Sequence, residues 1–559
     1  MEAATTSSTN RLDTVYSYHD RTKHHLHRYA RSLGYLDWAT QPNPFRRFEG
    51  APIIRLEQPA IRERLLYDSL FHSSGEPASL NYEFVSRLFY FSLALSAWKQ
   101  VDGLDGRPIS RWSLRVNPSS GNLHPTECYL LCDRVSGLSD SPATYHYAPF
   151  EHALELRRTL TGVQWREIAS QLPPHTILVG LTSIYWRESW KYGERAFRYC
   201  HHDVGHAIAA LALSAAALGW KTELIEEISS ADLARLLGVN CQHGIEAEHT
   251  DCMLAVFPAP AQAGIDGFEL SDELLTSLAE GDWFGRFNQL SSNHHLWPII
   301  DQVDSATEWS GKNFEAPAGT LLACATPPRL PERSHSAEKL IRQRRSAVAL
   351  DGRTSIDSKT FYRILQRITP ELTSFPFDTL RWLPNVCLAL FVHRVEDLPS
   401  GLYALVRDPA HEQSLRDHFR PEFEWRRPAG CPNSLGLYLL YEADVREAAQ
   451  IASCHQAIAA DGVFSAAMLA AFDQAIARAG PGMYPRLFWE TGVIGQVLYL
   501  EAEAAGIRAT GIGCFFDDAV HQILGIEDHT WQSLYHFTMG GPVDDPRLRT
   551  LDSYHHLGS

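Results

Sequence analysis

The chain has 559 residues, 45% of them hydrophobic, and a formal net charge of −16. This length exceeds one ordinary core and predicts two domains with connecting material. The acidic balance disfavours a nucleic-acid-binding surface, and no apolar run is long enough to span a bilayer. The first residues show no basic segment followed by an apolar one, so we expect no signal peptide. Scattered cysteines without paired CxxC motifs favour reduced thiols and a cytoplasmic location, with no zinc site.

Residues 1–79 are predicted to form an N-terminal arm that is rich in aromatic residues and histidine. The histidines cluster at 19–27 but lack carboxylate or cysteine partners at metal-ligand spacing. We therefore predict a packed or solvated arm and no metal site.

A first domain is predicted over residues 80–257. Residues 80–99 carry apolar side chains at helical spacing and predict an amphipathic helix. Residues 128–132 predict a buried strand, and residues 203–218 predict a long helix. His202 and His206 stand four residues apart, but no third ligand accompanies them, which favours a packed pair.

The most informative stretch of this domain is 115–127, Arg-Val-Asn-Pro-Ser-Ser-Gly-Asn-Leu-His-Pro-Thr-Glu. Its two prolines exclude a helix interior or a central strand. Ser119, Ser120 and Asn122 offer short donors and acceptors, and Gly121 permits close approach to the backbone. A polar loop that leads into a buried strand is a candidate ligand site, with an ordinary turn as the alternative.

Residues 258–335 mix proline, glycine and serine with short helical pieces and predict a connecting segment. A second domain follows over residues 336–559. In it, residues 386–392 predict a strand, and the alanine- and leucine-rich stretches 447–479 and 487–505 predict long helices.

The two domains repeat each other at one constant spacing of 287 residues (203 to 490, 205 to 492, 219 to 506 and 238 to 525). These four pairs align, in order, a carboxylate, a glycine within a helix, a glycine that ends the helix and a glycine in a later turn. Because alanine-rich helices align easily by chance, the glycines carry this argument. The interpretation is two fused copies of one α+β unit.

The two copies differ where chemistry would occur. The second copy has Arg344-Arg345-Ser346, which suits a phosphate dianion, and Gly511-Ile512-Gly513, where backbone N–H groups could approach a flat ring edge. It also has a late basic residue, Arg547, whereas the Pro-Ser-Ser-Gly-Asn loop exists only in the first copy.

The loop at 118–125 resembles the flavin-contacting loop of the FMN-dependent nitroreductase superfamily, and its flanks resemble the SagB-type dehydrogenase branch. The resemblance implies an α+β fold in which two fused nitroreductase-like domains, each an antiparallel-rich sheet flanked by helices, form an intramolecular pseudo-dimer. It implies one FMN between the domains, since one composite site keeps all its parts and the other has lost them. The sequence departs from the family at Val348, where a further basic residue is often found.

Carried over residue by residue, the resemblance implies a cofactor-binding set from both copies: Arg115, Pro118, Ser119, Ser120, Asn122, Arg344, Arg345, Ser346, Gly511, Ile512, Gly513 and Arg547. Lys191 and Tyr192 match the Lys-Tyr pair that takes the substrate proton in SagB-type enzymes. The alternative is a surface lysine beside a core tyrosine. His124 and Glu127 are further candidates, and Cys514 beside the glycine turn is a candidate redox thiol.

The first hypothesis for function is an FMN-dependent oxidoreductase that oxidises an azoline-type heterocycle to an azole in a peptide or related natural product. The second is an NAD(P)H-dependent reductase of nitro, quinone or enone compounds. The third is a catalytically silent scaffold in a biosynthetic complex. We expect a small-molecule or peptide substrate, possible contacts with other pathway enzymes, no membrane or nucleic-acid partner, and scope for further homodimerisation.

Overall fold

The computed structural model describes residues 2–72, 76–103, 105–259, 265, 267–311, 335–370 and 374–558. In these ranges, no helix combines the length and the apolar character that crossing a membrane requires.

The first half is built on a seven-stranded antiparallel sheet whose order is β2-β7-β6-β5-β8-β10-β9. The strands of this half are β1 (Phe48–Glu49), β2 (Ile53–Arg55), β3 (Leu95–Asp102), β4 (Pro108–Arg115), β5 (Thr126–Cys132), β6 (Ala143–Ala148), β7 (Ala153–Thr159), β8 (Ile177–Ser183), β9 (Trp220–Leu224), β10 (His249–Pro258) and β11 (Arg286–Phe287). Its central strands β5 and β8 are buried along their whole length, as expected for strands that are covered on both faces.

Helices cover both faces of this sheet. They are α1 (Glu2–Arg21), α2 (Tyr82–Tyr90), α3 (Gly162–Ala169), α4 (Tyr185–Tyr192), α5 (Ala196–Ala216), α6 (Ser230–Leu237), α7 (Asp272–Ala279) and α8 (Pro298–Thr307). Several begin at a side-chain cap, such as Asn81 before α2 and Thr161 before α3.

The second half repeats this plan with a six-stranded sheet whose order is β16-β15-β13-β17-β19-β18. Its strands are β12 (Ile356–Asp357), β13 (Val386–Val392), β14 (Val395–Glu396), β15 (Gly401–Leu405), β16 (Leu437–Glu442), β17 (Phe464–Ala471), β18 (Arg508–Ile512), β19 (Trp531–Gly540) and β20 (Leu548–Leu551). Its helices are α9 (Ala337–Gln343), α10 (Ser358–Arg367), α11 (Glu412–His418), α12 (Arg446–Ala452), α13 (Ile458–Asp461), α14 (Phe472–Ala479), α15 (Met483–Ala504) and α16 (Asp517–Leu524).

The halves are joined through their two longest helices, α5 and α15, which pack against each other in the centre of the molecule. The contact is close because each helix has a glycine there. A Cβ atom on Gly205 would lie 2.2 Å from the carbonyl oxygen of Trp489, and one on Gly492 would lie 2.3 Å from that of His202. The two glycines that the 287-residue spacing aligns therefore face each other across the pseudo-twofold contact, and the predicted α+β pseudo-dimer is confirmed.

The other aligned glycines also have equivalent roles. Gly219 and Gly506 follow α5 and α15 with positive φ of 74° and 73°. Gly238 and Gly525 are left-handed C-caps of α6 and α16. Glycine adopts this conformation without the strain that a Cβ atom would add, so the four positions mark real helix ends.

A small third sheet also connects the halves. The C-terminal strand β20 pairs with β3 of the first half, which pairs in turn with β4. The predicted helix over 80–99 is therefore wrong in its second part: α2 ends at Tyr90, and residues from Leu95 onward form β3. Strand β3 forms a hairpin with β4 and pairs on its other side with β20, and these two pairings override the helical spacing of its apolar residues.

The predicted long helix over 447–479 is wrong as well. It is divided into α12, α13, β17 and α14. All eight residues of β17 are buried between β13 and β19, so tertiary packing overrides the helix propensity of its alanines. The helix at 487–505 is observed as α15, which begins four residues earlier.

The predicted domain boundaries remain predictions. Strand β2 lies within the predicted N-terminal arm, yet it is an edge strand of the first sheet. The predicted connecting segment 258–335 is described only in part, because residues 260–264, 266 and 312–334 lie outside the described ranges.

Candidate functional site

A cleft of about 900 Å³ lies where the two halves meet. The first half lines it with the loop between β4 and β5, the end of α4 and one side of α5. The second half lines it with the segment after α9, the end of β18 and the turn that follows β18. Of the predicted cofactor set, the residues that line this cleft are Arg115, Pro118, Ser119, Ser120, Asn122, Arg344, Arg345, Ser346, Gly511, Ile512 and Gly513.

The Pro-Ser-Ser-Gly-Asn loop is held in place by its own hydrogen bonds. Ser119 Oγ accepts from the His124 backbone N–H at 2.8 Å, and Asn122 Nδ2 donates to the Ser113 carbonyl at 2.9 Å. Gly121 and Asn122 have positive φ of 57° and 60°, which glycine and asparagine tolerate best. The loop is therefore preorganised, with the backbone of Gly121 turned toward the cleft.

The loop is anchored to α5 by Asp203. Its carboxylate accepts from the backbone N–H of Ser120 at 3.0 Å and from the Ser120 hydroxyl at 3.1 Å. Asp203 is buried, and burial raises its pKa from 3.8 to about 7, although the hydrogen bonds from Ser119 and Ser120 act in the opposite direction. This carboxyl group is thus poised between its charged and neutral forms near neutral pH.

Four basic side chains form a cationic wall on the opposite side of the cleft: Lys99, Arg344, Arg345 and Arg508. Arg344 bridges the halves, because its guanidinium donates to the backbone carbonyls of Arg115 and Val116 at 3.1 and 3.2 Å. Burial, followed by the neighbouring positive charge of Arg344, lowers the pKa of Arg345 to about 9. Burial, followed by the charge of Arg345, also lowers the pKa of Lys99. Such crowding of cations favours a bound anion.

Ser346 sits beside this wall, where its hydroxyl hydrogen bonds with the Tyr499 hydroxyl at 2.9 Å. The same tyrosine oxygen accepts from the backbone N–H of Gly511 at 2.9 Å. Tyr499 therefore links the predicted phosphate segment to the predicted glycine turn, a role that the sequence alone did not indicate.

The glycine turn packs against two tyrosines. A Cβ atom on Gly511 would lie 1.9 Å from the hydroxyl oxygen of Tyr535, and one on Gly513 would lie 2.1 Å from Cε1 of Tyr199. Neighbouring tyrosines fill the space that side chains would need. The expected approach of the turn's backbone N–H groups to a flat ring edge stays a prediction.

Lys191 and Tyr192, at the end of α4, lie against the loop. A Cβ atom on Gly121 would be 2.7 Å from the Tyr192 hydroxyl and 3.1 Å from Lys191 Nζ. The Tyr192 ring packs on that of Tyr199 with centroids 4.3 Å apart. Burial raises the pKa of Tyr192 well above its usual value, as do Glu188 and Tyr199. Tyr192 therefore keeps its proton and can donate a hydrogen bond into the cleft.

The surroundings of Lys191 contain little negative charge near neutral pH. Glu188, one turn earlier on α4, is fully buried, and neither of its carboxyl oxygens has a hydrogen-bond partner among the described residues. Burial raises its pKa well above the usual range, and the nearby Asp203 raises it further. The Lys191 ammonium likewise has no ion pair within the described part of the chain. Because protonated Glu188 carries no charge, it does not hold the Lys191 side chain in an ion pair, and that side chain is available to a ligand.

The structure does not bring Arg547 into the cleft. Its side chain is 81% exposed and pairs with Asp545, two residues away. Arg115 lines the cleft, but its guanidinium donates at 2.5 Å to the carbonyl of Pro44, and burial lowers its pKa to about 10. Both residues remain predictions as cofactor ligands.

Sequence reasoning missed Lys99, Arg508 and Asn117. Lys99 was assigned to a helix, whereas it lies on β3 beside the cleft. Arg508 follows the helix-ending Gly506 and precedes the glycine turn, so its position in the chain could have indicated a basic residue near the site. Asn117 is buried in the cleft, and its Oδ1 has no partner among the described residues, which marks it as a candidate ligand contact.

The pseudo-symmetric position has different side chains. At the 287-residue spacing, Arg486 stands where Tyr199 stands, and Glu226 stands where Gly513 stands. These two residues form a buried ion pair at 2.9 Å, and the Trp309 ring stacks on the Arg486 guanidinium at 3.8 Å. A smaller cavity of about 260 Å³ remains beside them, lined in part by Arg486 and Trp309. That only one composite site keeps all its parts stays a prediction.

Comparisons with known proteins agree with this architecture. The sequence profile described as the nitroreductase family matches the chain twice, at residues 109–256 and 404–541. A candidate nitroreductase from Anabaena variabilis has a similar crystal structure, with a TM-score of 0.66 and 21% identity over 95% of this chain and 99% of that chain. The crystal structure of a nitroreductase from Exiguobacterium sibiricum, in complex with FMN, has a TM-score of 0.21 and 14% identity over 37% of this chain and 88% of that one.

Among curated proteins, the candidate nitroreductase MJ1384 of Methanocaldococcus jannaschii is 26% identical over 128 residues, which is 22% of this chain and 63% of that relative. The chain thus spans under two thirds of the length of this relative. The two profile matches lie one in each half and together cover slightly more than half of the sequence. With two sheets packed through paired central helices, the chain belongs to the nitroreductase family.

Proposed function

We propose that the chain is an FMN-dependent oxidoreductase resembling the SagB-type dehydrogenases, and that it oxidises an azoline-type heterocycle to an azole in a peptide or related natural product. One observation carries the proposal. The Tyr192 hydroxyl lines a cleft to which both halves contribute, and the Lys191 ammonium lies behind that lining, against the backbone of Gly121. A proton-transferring pair next to a predicted flavin loop is the equipment that a substrate dehydrogenation needs.

The residues of the cleft fit FMN. The cationic wall offers positive charge to a phosphate. Among the described residues, Arg508 is the one member of this wall whose side chain forms ion pairs, with Asp544 and Glu503. The Asn117 amide has an unpaired buried oxygen, which suits a ring N–H donor. Bound FMN would supply a centre that accepts a hydride from the substrate.

The chain's own residues would manage the proton. Lys191 would take the proton that the substrate loses, and Tyr192 would hold the substrate by donating its hydroxyl hydrogen. Asp203 would act indirectly by fixing the loop through Ser120. It is a positioning residue in this proposal.

The direct test is reconstitution with FMN followed by desalting and incubation with an azoline-containing peptide. We expect retained flavin absorbance and a product that is two hydrogens lighter. Lys191→Ala should lower kcat by about two to four orders of magnitude with little change in flavin retention. Lys359→Ala, at an exposed lysine, is the matched control.

Loss of flavin on desalting would refute the proposal. Unchanged product yield in both Lys191→Ala and Tyr192→Phe would favour a silent scaffold in a complex with other pathway enzymes.

A second function is favoured by the size of the cationic wall. Lys99 and Arg508 add positive charge beyond the predicted Arg344-Arg345-Ser346 segment, enough for a second phosphorylated ligand such as NAD(P)H. The chain would then reduce nitro, quinone or enone compounds. Rapid bleaching of bound FMN by NADPH, without any peptide, would support this alternative over the dehydrogenase.

A further inference from the structure

Two cysteines from separate segments meet at the rim of the cleft. The segment after α12 runs beside the turn after β18, because Phe516 N donates to the Ala452 carbonyl at 2.8 Å and Gln456 Nε2 donates to the Cys514 carbonyl at 2.9 Å. This pairing places Cys454 opposite Cys514, and each thiol is the largest influence on the pKa of the other. Cys514 itself lines the cleft, directly after Gly513.

The backbone at Cys454 has an unusual conformation. Cys454 and the next residue, His455, both have positive φ, 54° and 59°, although neither is glycine. Such residues are uncommon, and each costs roughly 1–3 kcal/mol unless the surrounding structure fixes it. Gln456 provides that restraint by bonding to the carbonyls of both Ser453 and Cys514. The strained turn therefore holds Cys454 at its partner.

The surroundings of the pair favour a reactive thiol. Both cysteines are partly exposed, unlike Cys128, Cys132 and Cys200, which are buried. The His24 ring contacts Cys514 and accepts from the Ala30 backbone N–H through Nδ1, which leaves its other nitrogen to donate. Low-pKa, partly exposed cysteines in electropositive surroundings are the usual reactive ones.

The charged and titratable groups around the pair act unequally on the two thiols. The hydrogen bond from Cys454 lowers the pKa of Cys514 to about 5 against the effect of burial, with help from His24 and Arg195. The same bond, together with burial, raises the pKa of Cys454. Asp517, Tyr199 and Tyr192 also face this pair, but Asp517 is bound to Arg195 at 3.0 Å. One thiolate beside one protonated thiol is the starting state for exchange with a disulfide.

We propose that Cys454 and Cys514 form a thiol–disulfide exchange site whose substrate is a low-molecular-weight disulfide. The Cys514 thiolate attacks one sulfur of the disulfide RSSR, forms a mixed disulfide and releases RS⁻. Cys454 then gives up its proton, and its sulfur attacks Cys514 Sγ and releases the second RS⁻. The protein loses two electrons to RSSR. Of the two RS⁻ released, one takes the proton of Cys454 and the other takes a proton from the solvent, so RSSR becomes two RSH. This proposal is independent of the proposed flavin chemistry.

The test uses the full chain as purified, reduced, freed of reductant and incubated with oxidised glutathione. After N-ethylmaleimide blocking, peptide mapping should show a Cys454–Cys514 cross-link. Cys454→Ser should stop at a glutathione adduct on Cys514, and Cys514→Ser should give neither product. Cys241→Ser, at an exposed cysteine, is the matched control and should retain the cross-link.

A second measurement needs no variant. At about pH 6, Cys514 should react with iodoacetamide at least about tenfold faster than Cys241, because the thiolate is the reactive form and the pKa of Cys514 is lowered to about 5. The proposal is overturned if the wild-type chain accumulates glutathione on Cys241 without any Cys454–Cys514 cross-link. Equal alkylation rates of the two cysteines at that pH would overturn it as well.

Discussion

Replacing Asp203 by asparagine is the sharpest test of how the loop is anchored. The carboxyl group is buried on α5 and bonds only to the loop in the described structure, through the backbone and hydroxyl of Ser120. An asparagine side chain has the same shape and keeps one oxygen to accept these bonds. Asp203→Asn therefore removes the charge while preserving the anchor.

The magnitude follows from the pKa of Asp203. Folding raises it from 3.8 to about 7, so the folded chain binds more protons than the unfolded chain between these values. The contribution of Asp203 to the free energy of unfolding is complete below about pH 4, and it is lost as the pH rises from about 4 to about 7. At about 1.4 kcal/mol per pKa step, the loss reaches about 4 kcal/mol above neutrality. The Asp203→Asn chain should lack this loss.

The assay is denaturant-induced unfolding of wild-type and variant chains at about pH 5 and about pH 9. We expect the variant to gain about 3 kcal/mol of stability over the wild type between these two pH values, because the wild type goes on losing the contribution of Asp203 up to its pKa of about 7. Glu490→Gln is the matched control, since Glu490 occupies the equivalent position on α15 but pairs with the buried Arg407 at 2.7 Å. It should destabilise by about 3 kcal/mol at both pH values, because it leaves Arg407 unpaired. Parallel pH profiles for wild type and Asp203→Asn would refute the reasoning.

Two further predictions concern phosphate binding and the helix contact. Arg345→Gln should weaken FMN binding by about ten- to a hundredfold in a fluorescence titration, since a charge-assisted hydrogen bond is lost. Arg547→Gln, at the exposed arginine, should change it little, and an equal effect of both would restore Arg547 to the site. Gly492→Ala should lower the melting temperature sharply because its Cβ would overlap the carbonyl of His202. Gly162→Ala, where a Cβ meets nothing within 4 Å, should leave it unchanged or raise it, and similar melting curves for the two would contradict the close contact.

The internal repeat was predictable because glycine is required wherever the backbone leaves no room for a Cβ atom or adopts a left-handed conformation. Gly205 and Gly492 are required by helix contact, and the later pairs by left-handed turns, so their spacing survives where side chains have diverged. Fold class and the line of contact between the halves follow from these positions. No other feature of the sequence fixes the register between the two copies as firmly.

Strand β17 and the second part of the 80–99 segment were not predicted from helical periodicity. The alanine-rich sequence of β17 favours a helix, and its position between β13 and β19 makes it a strand. Strand β3 pairs with its neighbour β4 and with β20, more than 400 residues later. Lys99 therefore lies between Trp112 and Thr550 at the cleft, whereas the predicted helix gave no reason to place it there.

The candidate site was predicted in its residue types better than in its geometry. The loop and the Arg344-Arg345-Ser346 segment do share one cleft. The two glycines of the turn line it too, but Tyr535 and Tyr199 fill the space above them. Those tyrosines lie on distant elements, and no local pattern links them to the turn.

Fusion of the two copies explains how the two carboxylates of the central helices came to differ. Asp203 and Glu490 occupy equivalent positions, and each accepts hydrogen bonds from the backbone of the segment before a central strand. Glu490 is neutralised by Arg407, whereas Asp203 has no such ion pair in the described structure and sits at the open cleft. In a homodimer of identical subunits, every substitution would appear at both positions. In a single chain, Glu226 and Arg486 can form a buried ion pair at one position while the other keeps Asp203, a carboxyl group without an ion pair in the described structure.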